Sequence, residues 1–351
     1  MKIAGMAASV PKNKVRTDSA YDKFTQFEVD RIIGNTGVKE KREAEPGTTS
    51  VDLCIAAAKP LIEKLDWDPK TIDAVILVTV LSDHIMPASS HRAHAALGLD
   101  PRCLVFDVNL GCSGWTHGMI MLDSMISSGL IKRGLLLCGE MTSATFRQRI
   151  TEVQHRADLP TAILFGDAGS ATAVTHDDEQ QVKAVQFGAD GTGFGEIIVP
   201  GGGARQFWSP ELFERKPDAE GEERRALDLV LRGPQVLTFT MKRVPPLLND
   251  LLEKSGWSRD DVDSYVLHQA NKFMIDFLVK RMKVPSEKVP LSMDEFGNTS
   301  SASIPLTMVT RCAEQLGRPT KWCAMGFGVG LSWSGLMLQT DAVATLPLVE
   351  V

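Results

Sequence analysis

The stretch LIEKLDWDPKTIDAVILVT (61–79) and the stretch LLEKSGWSRDDVDSYVLHQ (251–269) align without a gap at an offset of 190 residues. The identical pairs are Leu61/Leu251, Glu63/Glu253, Lys64/Lys254, Trp67/Trp257, Asp73/Asp263 and Leu77/Leu267. Both stretches read as helix, polar turn and apolar strand. A second pair follows near the same offset: VFDVNLGCSGWTHG (105–118) and SMDEFGNTSSASIP (292–305) are both turns entering a helix ahead of another strand. Two ordered matches predict an internal repeat, in which copies of one supersecondary unit stack on a shared core. The boundary is expected near residues 175–190, giving an N-terminal half, 1–178, and a C-terminal half, 179–351. The repeat puts Cys112 of one half close to the position of Asn298 in the other. If the halves pack about a pseudo-twofold, two helix N-termini converge on one site, each with unpaired N–H groups and partial positive charge.

The surrounding pattern predicts an α/β fold with largely parallel sheets. Apolar runs at Ala74–Leu81, Cys103–Asn109, Gly134–Cys138, Ser170–Val174, Ser264–Leu267 and Trp322–Met325 read as buried strands. Between them, Val51–Leu65, Gly118–Ser128 and Val244–Lys254 carry apolar residues at helical spacing. Strands alternating with helices are the mark of that class.

Composition narrows the function. The chain has 351 residues, room for two domains or one large duplicated one. A formal net charge of −6 argues against a general nucleic-acid binder. Six cysteines (Cys54, Cys103, Cys112, Cys138, Cys312 and Cys323) are scattered singly, which points to a reducing cytoplasm rather than a disulfide scaffold. The opening MKIAGMAASVPKNK lacks the apolar core of a targeting segment, and the run AVILVTVL (74–81) is too short to span a bilayer. A soluble cytoplasmic protein without membrane partners is expected.

Three residues stand out for chemistry. Cys112, in NLGCSG, lies between an apolar strand and a helical pattern, with glycines permitting a tight turn. A cysteine at a helix N-terminus has its thiolate favoured, as a nucleophile requires; the alternative is a buried structural thiol. His268, in VLHQAN, ends a strand, where α/β folds present ligand contacts, or else it caps the next helix. Asn298, in FGNTSSASIP, reads alone only as a helix start. The alternating glycines of GFGVGLSWSG (326–335) suit a strand turn where a ligand or a second backbone comes close. Asp83, His84, His91 and His94 do not complete a metal-ligand spacing, so no metal is expected. The stretches GADGTGFG (188–195) and GGGARQ (201–206) read as loops, and ERKPDAEGEERR (214–225) as a solvated surface.

Taken together, VNLGCSG, LFGDAGSA (164–171), DGTGFGE (190–196), VLHQAN (266–271), FGNTSSASIP (296–305) and GFGVGLSWSG make the chain resemble the β-ketoacyl-acyl carrier protein synthase III branch of the thiolase superfamily over nearly its whole length. The resemblance implies a thiolase-like, duplicated αβαβα five-layered sandwich, usually a homodimer. It implies that Cys112 accepts an acyl group from a thioester and that the backbone N–H groups of Cys112 and Val329 form an oxyanion hole. His268 and Asn298 then stabilise the enolate of a malonyl thioester that has lost carbon dioxide, and Asn271 contacts the pantetheine arm. The substrates implied are coenzyme A or acyl carrier protein thioesters, with no further cofactor and an acyl carrier protein as partner.

Three departures from the family pattern carry expectations of their own. The adenine of coenzyme A is commonly stacked between a Trp and an Arg, but the matching positions here are Arg31 and Leu159. That leaves room for an acyl group borne on a carrier protein. The stretch TSATFRQRITEVQHRADLP (142–160) is longer than usual. Met86, before Pro87, stands where a Phe often closes the acyl pocket from across the dimer, so chains longer than acetyl are expected to be tolerated. An acidic carrier also calls for a basic rim, for which Lys272 and the pair Lys242–Arg243 are candidates. A condensing enzyme is the leading reading. The rivals are an acyltransferase passing the group to a hydroxyl or amine, a thiolase using Cys323 as a second cysteine, and a silent partner subunit.

Overall fold

Ala74–Val78 is buried at every residue, and its side chains divide between two cores. Ala74, Ile76 and Val78 pack with Trp115 and Leu306, whereas Val75 and Leu77 pack with Val51, Cys54 and Leu61. A strand apolar on both faces needs cover on both. In the computed structural model, which describes residues 1–145, 150, 153–179, 181–218 and 221–351, that cover comes from helices on either side of a mixed sheet.

The strands used below are β1 (Lys2–Val10), β2 (Ala74–Val78), β3 (Leu104–Val108), β4 (Arg133–Glu140), β5 (Ala168–Thr175), β6 (Val182–Ala189), β7 (Ser264–Leu267), β8 (Thr320–Gly328), β9 (Ser332–Thr340), β10 (Ala344–Thr345) and β11 (Val349–Glu350). The first sheet runs β10–β1–β5–β4–β2–β3, with β11 also on β1, and the second runs β6–β9–β8–β7. Along β1–β5–β4–β2 the pairings are antiparallel, antiparallel and parallel. Along β6–β9–β8–β7 they are antiparallel, antiparallel and parallel again. The strands that match by topology, β2 and β7, are the ones aligned in the sequence at an offset of 190. The fold is therefore duplicated.

The sheets are mixed rather than largely parallel. β8 and β9 are joined through residues 329–331, and so short a link permits only an antiparallel pair. β1 gave no strand signal because MKIAGMAASV is rich in Ala and Met, which are weak strand formers. It is a strand because of tertiary packing.

Helices complete five layers. They are α1 (Gln26–Thr36), α2 (Ser50–Lys64), α3 (Ser90–Leu97), α4 (Gly114–Ser127), α5 (Gly233–Ser255), α6 (Lys272–Met282) and α7 (Ser303–Arg311). α2 covers the outer face of the first sheet against β1, β4 and β5, and α5 covers the second against β6 and β9, with α6 beside it. α4 touches β4 on one side and β8 and β9 on the other, while α7 touches β1 and β5 on one side and β7 on the other. These two are the central layer. Accordingly α4 buries Trp115, Met119, Leu122 and Ile126, and α7 buries seven of its nine residues. α2 begins with a capping box: the Thr49 hydroxyl accepts from the Asp52 N–H, and the Asp52 carboxylate accepts from the Thr49 N–H, an arrangement contributing about 1 kcal/mol. Among the described residues no helix is long and apolar enough to cross a membrane.

The duplication positions the site. α4 follows β3 and α7 precedes β8, and each leads into the strand paired with β2 or with β7. Cys112 precedes α4 and Asn298 precedes α7, so the two residues enter the central layer at matching points.

Candidate active site

Cys112 lies in a turn in which the Gly114 N–H donates to the Gly111 carbonyl at 2.7 Å. It lines a cavity of about 980 Å³ together with His268, Asn298, Ser300, Phe327 and Val329. The other five cysteines are buried, and Cys112 alone is part-exposed. Cys323 lies within β8, in the core between the second sheet and its outer helices, with its thiol pushed far up by burial. It faces no site.

Helix position alone predicted a thiolate at Cys112. Burial instead pushes the thiol up to about 11, opposed by the backbone N–H of Val329, the Ser300 hydroxyl and the residue's own N–H. Desolvation of the charged form outweighs the donors while the cavity is empty of charge. The backbone N–H groups of Cys112 and Val329 are therefore both donors to the sulfur, against the push of burial.

The glycines of GFGVG explain how the second sheet comes so near. A Cβ on Gly326 meets the Ser113 Cα at 2.7 Å and the Cys112 carbonyl oxygen at 2.8 Å. A Cβ on Gly328, whose φ is +151°, meets the Cys112 Cβ at 2.7 Å and its sulfur at 2.8 Å. The second backbone expected at these glycines is the Cys112 turn.

His268 ends β7 and is 2% exposed. Its N–H donates to the Met325 carbonyl at 2.9 Å, and its ring meets the Phe327 ring edge-on at 5.6 Å. Nδ1 is 2.8 Å from the Ser303 hydroxyl, which also reaches the Ser300 carbonyl at 2.8 Å. With Nδ1 engaged, Nε2 is the nitrogen left for a substrate. Burial pushes this imidazole down to about 3, so it is neutral at physiological pH. The single hydrogen of the Ser303 hydroxyl is shared between the Ser300 carbonyl and Nδ1; in the tautomer in which Nδ1 accepts it, Nε2 carries the ring hydrogen and is a neutral donor.

Asn298 is 4% exposed. Its Oδ1 accepts the Ser300 N–H at 2.9 Å, and its Nδ2 donates to the Ala270 carbonyl at 3.2 Å, leaving one amide hydrogen uncommitted. The Asn298 N–H donates to the Leu164 carbonyl at 2.8 Å, and its own carbonyl accepts the Gly166 N–H at 3.2 Å. The LFGDAGSA stretch thus clamps the Asn298 backbone. Asn271 lines the cavity and also caps α6, its Oδ1 accepting the Met274 N–H at 2.8 Å.

The remaining candidates divide. Lys272 is ion-paired with Asp276. Arg243 is ion-paired with Asp190 at 3.1 Å and lies over the Trp333 ring at 4.9 Å, so two of the three expected rim cations are already answered; Lys242 is exposed. Met86 is 80% exposed and does not line the cavity of its own chain, whereas its neighbour Ile85 does. Arg31 is exposed on α1, but Leu159 is buried in a core with Phe24, Val29 and Ile163. Of the stretch 142–160, residues 146–149 and 151–152 lie outside the described residues. The Asp83 carboxylate pairs with Arg92 at 2.9 Å, and the rings of His91 and His94 bond to the Ala88 and Asp100 carbonyls. Among the described residues no group of three or more His, Cys, Asp or Glu could hold a metal ion.

Three polar residues at the site were not singled out from the sequence. Ser300 and Ser303 lie inside FGNTSSASIP, where turn chemistry masks any other role. Glu140 ends the apolar run LLLCGE; a carboxylate closing a buried strand was the available signal.

Comparison with known proteins places the whole chain. Residues 106–191 match the family model of 3-oxoacyl-[acyl-carrier-protein] synthase III, and residues 252–340 match the model of its C-terminal part. The β-ketoacyl-[acyl-carrier-protein] synthase III of Symbiobacterium thermophilum is 32% identical over 340 residues, covering 96% of this chain and 97% of that protein. The chain belongs to the β-ketoacyl-acyl carrier protein synthase III family. The crystal structure of a 3-oxoacyl-(acyl-carrier protein) synthase from Burkholderia xenovorans superposes on this family member with a TM-score of 0.90 at 33% identity, covering 100% of this chain and 97% of that one. A priming β-ketosynthase of a polyketide pathway superposes with a TM-score of 0.80 at 27% identity, covering 97% and 96%.

In this synthase III family member the close approach at Gly328 gives a direct prediction. Gly328→Ala places a methyl group within 3 Å of the Cys112 sulfur and strains the left-handed backbone. Alkylation of Cys112 by iodoacetamide, read by intact mass, is expected to slow at least tenfold with the fold retained. An unchanged rate contradicts the packing described.

Proposed function

We propose that the chain joins an acyl group, carried on Cys112, to the enolate of a decarboxylated malonyl thioester, giving a β-ketoacyl thioester. The observation that carries this reading is the meeting of Cys112, two N–H donors at its sulfur, neutral His268 and Asn298 in one largely apolar cavity. In the first half, the Cys112 sulfur bonds to the acyl carbon, the N–H groups of Cys112 and Val329 hold the oxyanion, and the carrier thiol leaves. In the second half, His268 Nε2 and Asn298 Nδ2 donate to the thioester oxygen of the malonyl group as carbon dioxide departs. The carbanion then attacks the acyl carbon and releases the Cys112 sulfur. Two neutral donors suit this step: they stabilise the enolate oxygen without delivering a proton that quenches the carbanion. Asn298 favours condensation over simple acyl transfer, which forms no enolate.

The donor carrier and the chain length belong to the same proposal. With Leu159 inside a core, the adenine of coenzyme A has no sandwich at that position, which favours an acyl group delivered on a carrier protein, with Asn271 and Lys272 near its pantetheine arm. Ile85 and Met86, 82% and 80% exposed, form an apolar pair suited to a second copy of the chain, in line with a homodimer in which Met86 caps the partner's cavity. A cavity of about 980 Å³ is at the upper end for ligand sites, so acyl groups longer than acetyl are expected to load Cys112. Loading confined to acetyl contradicts this.

The test is to incubate the chain with acyl thioesters of graded length on coenzyme A and on an acyl carrier protein, and to weigh the intact protein. Malonyl thioester is then added, and carbon dioxide and β-ketoacyl product are measured. An acylated chain that releases both supports the reading; a chain that takes up no acyl group from any donor rejects it.

A further inference from the structure

Glu140 closes β4 directly behind the cavity wall. It is 0% exposed, and among the described residues no cation pairs with it. Its carboxylate accepts the Val80 N–H at 3.3 Å and the Thr79 hydroxyl at 3.3 Å. It also lies 3.4 Å from the Ser300 hydroxyl. That hydroxyl lines the cavity together with Cys112, opposes the upward push on the Cys112 thiol and stands 2.9 Å from the position of a Cβ on Gly111. Among the described residues Ser300 Oγ is therefore the one hydroxyl that both influences the Cys112 thiol and reaches Glu140 Oε1.

Two further observations give this hydroxyl a purpose. Ser300 has φ +49°, a left-handed conformation that costs a non-glycine residue energy and persists where the surroundings impose it; in this conformation its hydroxyl reaches the Glu140 carboxylate. The mechanism above also leaves a proton unassigned. Cys112 is a thiol at rest and must lose its proton as its sulfur attacks, yet His268 has Nδ1 tied to Ser303 and burial makes it a weak base.

We propose that Glu140, acting through the Ser300 hydroxyl, takes the proton that Cys112 gives up when its sulfur attacks the acyl thioester. As the S–C bond forms, the thiol proton passes to Ser300 Oγ and the Ser300 proton passes to Glu140 Oε1. The carrier thiolate leaves as the C–S bond to it breaks, and the same path run in reverse returns the proton to that thiolate. In the condensation half the Cys112 sulfur departs as a thiolate and takes one proton from solvent, which balances the carbon dioxide released from the malonyl carboxylate. Glu140 touches neither substrate; it is a positioning residue that acts through Ser300. Its carboxyl is pushed up to about 8 by burial, close to working pH, where a proton acceptor is most effective.

The proposal rests on acyl loading at Cys112, so the test measures loading directly. Octanoyl-acyl carrier protein and octanoyl-coenzyme A are each mixed with wild type, Glu140→Gln, Ser300→Ala and the double variant from pH 6 to 9, and the acylated fraction is followed by intact mass. The wild-type rate is expected to rise through the ionisation of Glu140 near pH 8. Both single variants are expected to load at least tenfold more slowly at pH 7.5 and to lack that rise, and the double variant is expected to be no slower than the slower single. The competing electrostatic account has the opposite sign: a carboxylate beside a thiol disfavours the thiolate, so neutralising it should speed loading. Glu140→Gln loading as fast as wild type, or faster, overturns the proposal. If Glu140→Gln does not fold, Ser300→Ala decides, and a wild-type rate and profile there overturns it equally. Failure of wild type itself to load from either donor contradicts the condensing reading instead.

Discussion

Cys112→Ala is expected to take up no acyl group from any thioester donor, whereas wild type gains one acyl mass per chain. The expectation is absolute because no other thiol can substitute. Cys54, Cys138 and Cys323 are 0% exposed, and Cys312 is 1% exposed. Burial pushes the Cys54 thiol up to about 12 and the Cys103 and Cys312 thiols up to about 11. Cys112 shares the upward push but is the one part-exposed cysteine, with N–H donors at its sulfur and a cavity in front of it. The substitution removes one sulfur from a turn whose backbone is fixed by its neighbours, so the fold should survive. Acyl mass on the alanine variant contradicts the assignment of the nucleophile.

Asn298→Ala is expected to separate the two halves of the reaction. Loading uses the N–H groups of Cys112 and Val329, so it continues near the wild-type rate. Condensation loses one of two donors to the enolate oxygen and is expected to fall roughly a hundred- to a thousandfold, the usual cost of deleting a single oxyanion donor. The alanine also removes the acceptor for the Ser300 N–H, and Ser300 lies on the proposed path from Cys112. Asn298→Asp controls for this, because it keeps that acceptor while replacing the amide donor with a carboxylate that repels the enolate. Both variants should lose condensation and keep loading. Equal loss of both halves in the aspartate variant means that Asn298 holds the site together rather than acting on the enolate.

The sequence and the structure agree where local signals and tertiary demands coincide. Ser264–Leu267 was legible to the residue, because an apolar strand ends there in a polar cluster. The duplication was legible because Trp67 and Trp257, Asp73 and Asp263, and Leu77 and Leu267 sit in matching helix–turn–strand units. The direction of pairing was not: β5 and β9 run antiparallel to their neighbours through connections whose geometry leaves no trace in hydrophobic period. α5 begins at Gly233 rather than Val244, since Pro245 and Pro246 read as an end to anything before them. At the site, Cys112, His268 and Asn298 were visible as residue types at element boundaries, and the structure brings all three to one cavity. The state of the thiol was not visible, because helix position predicts one sign and burial supplies the other. Glu140 was missed for a related reason: a carboxylate next to Cys138 and Gly139 looks like a strand end until Val80, Thr79 and Ser300 are seen around it.

The most direct measurement of the central claim follows a malonyl thioester labelled in its free carboxylate with carbon-14, added to a chain already acylated on Cys112. Condensation predicts that label leaves as carbon dioxide in step with loss of the acyl mass from Cys112, and that the product carries the acyl group plus the two remaining malonyl carbons. Transfer of the acyl group from Cys112 to a hydroxyl or an amine, with the label retained in intact malonyl thioester, contradicts it.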